Sequence, residues 1–143
     1  MINDIIDGIA EALNKAFGAE CTIYKESIPQ GFKEPCFSIV HIMGENVPYL
    51  TGRYLKKNRF DIHYFPTPGY QEKEEMYDVE NKLHFVLEYI TVSDKNKLDN
   101  LFRGTKMSSE IVDGVLHFFV SYDRFVGVQE PELPRMETLT TEE

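Results

Sequence analysis

The chain of 143 residues is long enough for one folded domain, and its hydrophobic fraction of 42% agrees with a buried core. Acidic residues outnumber basic ones by 24 to 15, and the formal net charge of −9 argues against general binding to a nucleic-acid backbone. No apolar run approaches the roughly 20 residues that cross a bilayer, so no membrane partner is expected.

The first part of the chain predicts a helix and two short strands. Residues 2–17 are expected to form an amphipathic helix, because apolar side chains recur there at helical spacing: Ile2, Ile6, Ile9, Leu13 and Phe17. Gly8 inside this helix marks either a close packing contact or a tolerated defect, since glycine costs up to about 1 kcal/mol relative to alanine. Strands are expected at 21–25 and 36–43, with residues 44–48 ending the second one.

The middle of the chain predicts a strand that leads into a long helix. Phe60, Ile62 and Tyr64 alternate with polar residues, which is typical of a half-buried strand at 53–65. Two prolines and a glycine at 66–69 end that strand. From residue 70 the period becomes helical, and one face carries Met76, Val79, Leu83, Val86 and Ile90.

The last part predicts a polar connection and a hairpin. Residues 91–100 are polar and are expected to form a turn region. Strands at 101–112 and 115–126 flank Asp113 and Gly114, a dipeptide that favours a tight turn because both central residues need positive φ. The order α-β-β-β-α-β-β predicts a single α+β domain, with two helices packed on a mainly antiparallel or mixed sheet.

The end of the chain differs in composition from the rest. Residues 129–143 hold five glutamates, one arginine and two prolines, and no periodic apolar pattern. We expect a domain at 1–128 followed by an acidic tail at 129–143, which is either a flexible terminus or an arm that adds to a neighbouring subunit.

No pattern of a catalytic or cofactor site stands out. The glycines are scattered and form no phosphate-binding loop, and the serines lack a nucleophile-elbow context. No two histidines are at ligand spacing, and the pair of Glu80 and His84 is too small for a metal site. His41, His63 and His117 lie on predicted strands, and their meeting in space is the one route to a metal or acid–base site. We therefore predict no enzyme activity, no cofactor and no metal ligands.

Two cysteines do not make a disulfide framework. Cys21 and Cys36 both lie in apolar, strand-like surroundings and lack a basic neighbour that would hold a thiolate. They are expected to be buried free thiols in a reducing compartment.

Two blocks of opposite charge follow each other in the middle of the chain. The basic block contains Arg53, Lys56, Lys57 and Arg59. The acidic block contains Glu72, Glu74, Glu75 and Asp78. One interpretation is a head-to-tail subunit contact, in which the basic block of one subunit meets the acidic block of the next. The other is a solubilising strand edge whose lysines guard against aggregation.

Several segments of the chain resemble a known family of proteins. They are the residues at 5–13, 30–37 and 53–66, together with the Asp113–Gly114 turn and the Val-Ser-Tyr that follows it. The chain is similar, to about residue 137, to small tail terminator proteins from phages and prophages of Gram-positive bacteria.

This resemblance implies a structural protein of the virion tail, assembled in the host cytoplasm. Such proteins have an α/β fold and form a ring, usually of six subunits, on the last ring of the tail tube. The expected partners are therefore further copies of this chain, the tail tube protein and the neck or head-completion protein. DNA would only pass through the lumen, and the resemblance brings no active site or cofactor with it.

Two alternatives remain open at this point. A head–tail connector or neck subunit of similar size would share the ring but contact the portal complex. A small cytosolic binding module or enzyme would use a cleft between the sheet and the long helix.

Overall fold

The computed structural model describes residues 2–26, 28–69, 71–93 and 99–127, and it confirms the predicted α+β fold. Within these ranges there are two helices and six strands. In chain order they are α1 (Ile2–Phe17), β1 (Thr22–Tyr24), β2 (Cys36–Pro48), β3 (Arg53–Phe65), α2 (Glu72–Val86), β4 (Tyr89–Ser93), β5 (Asp99–Val112) and β6 (Val115–Gly127).

The described strands form one mixed sheet in the order β1-β2-β3-β6-β5-β4. β1 runs parallel to β2, and the other neighbouring pairs are antiparallel. β3 lies in the interior and pairs with β2 and β6 along nearly its whole length. The outer strands β1 and β4 are short: β1 pairs only with residues 36–38 of β2, and β4 only with residues 99–103 of β5. Among the described residues, the rest of β2 (39–48) and of β5 (104–112) therefore has a strand neighbour on one side only.

The hydrophobic core lies between one face of the sheet and the two helices. The core side chains of β6 alternate along the strand: Leu116, Phe118, Val120 and Tyr122. Each helix buries part of its predicted stripe, Ile9 and Leu13 from α1 and Met76, Val79 and Leu83 from α2. The buried face of α1 is rotated toward Ile5, whereas Ile2 is exposed and Ile6, Phe17 and Val86 are half-buried. Burial of the core side chains stabilises the fold by roughly 1.5–3 kcal/mol each before entropic costs.

β2 extends beyond its predicted end. The prediction that residues 44–48 break the strand is wrong, because these residues pair with residues 54–58 of β3. A bulge between His41 and Met43 interrupts the register, after which pairing resumes as far as Pro48. Glycine and proline weaken a strand locally, but the long partner strand supplies enough pairing to carry β2 through.

The second helix is shorter than predicted, and a strand follows it. α2 ends at Val86, where the backbone N–H of Leu87 donates to the carbonyl of Leu83 at 2.9 Å. Ile90 is buried, but it belongs to β4, a strand that the sequence pattern did not indicate. Ile90 stands at the position where the helical period of α2 predicts a buried residue, because the turn after α2 returns the chain to the same core.

Gly8 is a close packing contact, which decides between the two interpretations of this residue. A Cβ atom at Gly8 would lie 2.7 Å from the carbonyl oxygen of Thr91 on β4. α1 therefore lies so close to the backbone of β4 that only glycine fits at position 8.

The Asp113–Gly114 turn is confirmed as a tight hairpin between β5 and β6. The two residues have φ values of 52° and 76°, and their neighbours Val112 and Val115 are paired. Positive φ at both central residues fits the backbone twist of the flanking strands.

The predicted acidic tail, residues 129–143, lies outside the described residues, so the domain boundary at 128 stays a prediction. Among the residues that the structure does describe, no helix is long and apolar enough to cross a bilayer.

Candidate functional site

The basic block lies on an interior strand of the sheet. β3 has β2 on one side and β6 on the other, so the interpretation of these residues as guards of a sheet edge is wrong. Successive side chains of a strand point to opposite faces. Lys56 therefore lies on the face that carries Phe60 and the core, whereas Arg53, Lys57 and Arg59 lie on the other face.

The two arginines of this block are engaged in contacts within the chain. The Arg59 guanidinium donates to the carbonyl of Lys106 at 3.1 Å and to Ser121 Oγ at 2.8 Å. The Arg53 guanidinium lies 4.8 Å from the centre of the Phe125 ring, in cation–π geometry. These contacts tie β3 to β5 and β6, which gives both arginines a structural role.

The two lysines of the block are available for other contacts. Neither Lys56 nor Lys57 forms an ion pair or side-chain hydrogen bond with another described residue. Tyr54, on the same face as Lys56, is exposed. This half of β3 thus carries one lysine on each face of the sheet, and Lys56 shares its face with the exposed ring of Tyr54.

Two acids of the acidic block fasten the turn between β3 and α2. The Tyr64 hydroxyl and the Thr67 backbone N–H both donate to Glu75 Oε2, at 2.5 and 2.9 Å. The Gly69 N–H donates to Glu72 Oε2 at 3.2 Å. Burial, followed by the hydrogen bond to the Glu75 carboxylate, raises the pKa of Tyr64. Both acids therefore stabilise the start of α2, where negative charge also suits the helix dipole.

The other two acids, Glu74 and Asp78, are exposed and line an open cleft of about 420 Å³ beside α2. Its wall also includes Glu20, Glu75 and Lys82. The acids of this wall outnumber the one lysine, so the cleft has the charge to receive a cationic side chain.

Lys56 and Tyr64, the residue to which the acidic block is anchored, lie toward opposite ends of β3. The acidic block is anchored to Tyr64 through Glu75, and Tyr64 stands eight residues after Lys56 on β3. At the strand rise of 3.2–3.4 Å per residue, that separation is about 26 Å. No ion pair between the two blocks occurs among the described residues.

Of the three histidines on predicted strands, the structure brings two together. His63 on β3 and His117 on β6 are direct partners across the strands, and their ring centres are 4.4 Å apart. His41 lies elsewhere, with its ring 5.1 Å from the Phe60 ring centre and its Nε2 3.2 Å from Asn58 Oδ1.

His84, the fourth histidine, forms a 2.6 Å hydrogen bond with Glu80 on α2. Ser109 on β5 donates to the same Glu80 oxygen at 3.1 Å, so this group joins the helix to the sheet.

Asp61 joins the histidine pair and was missed by the reading of the sequence. Its Oδ2 lies 2.8 Å from His63 Nε2 and 2.9 Å from His117 Nδ1. Burial alone would raise the pKa of this carboxyl, but the hydrogen bonds and charges of the two histidines outweigh burial and hold it below its ordinary value. The available signal was the spacing of Asp61 and His63, which places both on one face of β3.

The thiols lie in surroundings that disfavour a nucleophile. Cys36 is buried and Cys21 is half-buried, and both are free. Burial, with a smaller contribution from Glu34, raises the pKa of Cys36 to about 11. Burial also raises the pKa of Cys21. Catalytic cysteines instead have lowered pKa values.

Comparison with known proteins gives a family match over most of the chain. The family described as "Phage tail terminator protein" matches residues 4–134. A comparison with curated proteins found no match. The matched region contains α1 from residue 4 onward, all of α2, all six described strands, the basic and acidic blocks and the histidine pair. The chain therefore belongs to the phage tail terminator family.

Proposed function

We propose that this protein caps the tail tube of a phage or prophage as a ring, stops the polymerisation of the tube and joins it to the neck. Its partners are further copies of itself, the tail tube protein and the neck or head-completion protein. In this function the protein is structural and needs neither a catalytic group nor a cofactor. DNA contacts it only by passage through the lumen, and the net charge of −9 suits a wall that DNA must not adhere to.

The observation that carries this proposal is the family match over residues 4–134. It favours termination over the two alternatives, a connector subunit and a cytosolic binding module or enzyme. The raised pKa values of both thiols also lend no support to the enzyme.

We further propose that the ring forms by a head-to-tail contact between the two charge blocks. Lys56 and Lys57 of one subunit would meet Glu74 and Asp78 of the next. These four side chains have no ion-pair partner among the described residues, whereas the other members of the blocks are engaged in their own subunit. Lys56 and Lys57 lie in the first half of β3, whereas Glu75 anchors the acidic block at the other end of that strand, so the two blocks are placed to pair between subunits rather than within one. A repeated contact of this kind closes into a ring when the rotation between subunits permits.

The charges are expected to set the direction of the contact more than its strength. An exposed ion pair contributes about 0.2–1 kcal/mol, so two pairs contribute roughly 0.4–2 kcal/mol per contact. Exposed aromatic rings flank both blocks, Tyr54 beside Lys56 and Tyr77 between Glu74 and Asp78. Aromatic residues are enriched in interfaces, and they would supply apolar contact area here.

The test is a charge exchange between two variants. One variant carries Lys56→Glu and Lys57→Glu, and the other carries Glu74→Lys and Asp78→Lys. Each variant alone opposes like charges at every contact and is expected to form few rings. An equimolar mixture restores opposite charges at every contact if the two variants alternate, which a ring of six permits. Light scattering and negative-stain electron microscopy of tube ends would count the rings.

A control separates position from net charge. Lys15→Glu with Lys33→Glu changes the net charge by the same amount at exposed sites outside both blocks, and it should leave ring formation intact. Rings formed by each exchange variant alone, or a mixture that restores nothing, would contradict the proposed contact.

A further inference from the structure

The sheet face turned away from the helices carries a cluster of three metal-ligating side chains. Asp61 and His63 lie on β3, and His117 lies directly opposite His63 on β6. Asp61 Oδ2, His63 Nε2 and His117 Nδ1 all lie within 4.8 Å of one another. The cluster joins neighbouring interior strands, so its donor atoms are held by the backbone pairing of the sheet.

We propose that Asp61, His63 and His117 bind one divalent transition-metal ion of the zinc class. Two imidazole nitrogens and one carboxylate oxygen are ligands that zinc takes in proteins, with metal–ligand distances of about 2.0–2.2 Å. Magnesium and calcium are disfavoured, because they take oxygen ligands and six or more of them.

The distances within the cluster fit this ion after a small adjustment. Tetrahedral ligands at such bond lengths stand about 3.3 Å apart. The two nitrogens of the cluster lie 2.8 and 2.9 Å from Asp61 Oδ2, so each ring needs to move outward by a few tenths of an ångström. The ion would take the place of the protons through which the rings bond Asp61, and each neutral ring would then carry its proton on the nitrogen that faces away from the ion.

Asp61 supplies a second observation in favour of a cation. Asp61 is only 7% exposed, and its Oδ1 has no hydrogen-bond partner among the described residues. A buried carboxylate oxygen without a partner is costly, because the hydrogen bonds it would make with water are not replaced. The two histidines satisfy Oδ2 only. A metal ion held by the carboxylate would compensate the charge on both oxygens.

The neighbours of the cluster are two aromatic rings and one further carboxylate. The rings of Phe65 and Phe119 lie 6.4 Å from those of His63 and His117, and they form an apolar rim. Glu110 on β5 stands opposite His117 in the strand register. Water or the Glu110 carboxylate would complete a tetrahedral set, and an apolar shell of this kind limits solvent access to a metal.

The experiment uses the untagged full-length chain, freed of metal with a chelator and then dialysed. Zn²⁺ is titrated in by calorimetry, and Co²⁺ is titrated as a probe whose visible absorption reports tetrahedral coordination. We expect one ion per chain and a rise in melting temperature with Zn²⁺. His63→Ala and His117→Ala should each weaken binding by more than the roughly 10–100-fold that loss of an outer-shell partner costs.

His84→Ala is the matched control, because His84 also bonds a carboxylate but belongs to no group of three metal-ligating side chains among the described residues. This variant should bind Zn²⁺ as the wild type does. Circular dichroism of each variant shows whether it folds, and Asp61→Asn, which keeps the shape of the side chain, provides a second ligand deletion. Absence of a tetrahedral Co²⁺ spectrum, or Zn²⁺ binding unchanged in the folded His63, His117 and Asp61 variants, would overturn the proposal. Metal binding is measured without the tube protein, so its failure leaves the proposed terminator function untouched.

Discussion

Replacing Gly8 with alanine tests the packing of α1 against β4, because two physical effects predict opposite signs. In an isolated helix, alanine stabilises by about 0.8–1 kcal/mol relative to glycine. In this structure the added Cβ would lie 2.7 Å from the Thr91 carbonyl oxygen and 3.3 Å from Val92 Cγ2. We expect the clash to prevail and Gly8→Ala to destabilise the protein.

The size of the expected destabilisation depends on which atom the added methyl group would contact. Forcing an extra methyl group into a packed core costs typically 1–3 kcal/mol. The carbonyl oxygen of Thr91 belongs to the backbone of β4 and cannot rotate away as a side chain would. The upper part of that range therefore applies, and subtraction of the helix-propensity gain leaves a net loss of about 1–2 kcal/mol.

Urea unfolding followed by circular dichroism measures this loss as a lower free energy of unfolding. Gly69→Ala is the control, since a Cβ atom there meets nothing within 4 Å and the φ angle is not positive. Such a replacement is neutral or stabilising by about 0.4–1 kcal/mol through the unfolded state. A Gly8→Ala protein as stable as the wild type, or more stable, would refute the close approach of α1 to β4.

Three further predictions concern the core and the Asp61 cluster. Leu83→Ala should lower the free energy of unfolding by roughly 2–5 kcal/mol, because Leu83 is 0% exposed, whereas Phe85→Ala on the same helix, 81% exposed, should change it by less than about 0.5 kcal/mol. Tyr122→Phe should cost about 1–3 kcal/mol, because the buried hydroxyl donates to the Leu87 carbonyl at 2.6 Å, and urea unfolding measures this as well. The pKa of Asp61 is lower in the folded protein than its ordinary value of 3.8, so the ionised carboxylate stabilises the fold at pH values above 3.8. This stability is lost as the pH falls through the lower pKa of the folded state. Melting temperatures of metal-free protein should therefore fall less steeply with acid in Asp61→Asn than in the wild type.

Local patterns in the sequence predicted much of the fold. The bounds of α1 and β3 agree with the prediction, because apolar periodicity and the flanking residues indicate the same ends. The Asp113–Gly114 turn was predictable because its positive φ values restrict the residue types that fit.

The wrong predictions concern segments whose structure depends on tertiary contacts. Residues 44–48 look like strand breakers, yet pairing with β3 extends β2 through them. Ile90 continues the period of α2 although it belongs to β4, since both elements bury their apolar residues in the same core. Periodicity alone cannot separate a helix from a strand that follows it at the same spacing.

The candidate sites likewise combine features that the sequence predicts with features that only the structure shows. The charge blocks could be recognised from composition, but only the structure separates the engaged arginines from Lys56 and Lys57. The cluster of Asp61, His63 and His117 depends on the register of β3 against β6, and Asp61 and His117 are 56 residues apart in the chain. The spacing of Asp61 and His63 is a local signal for one half of the cluster, but the pairing with His117 leaves none in the sequence.

The most direct test of the proposed function is the length of tail tubes assembled with and without this protein. The partner tube protein would be polymerised in both conditions and the tubes measured by electron microscopy. Termination predicts shorter tubes, each closed at one end by an additional ring of density. Tubes of unchanged length with bare ends would contradict the assignment of this protein as the cap of the tail tube.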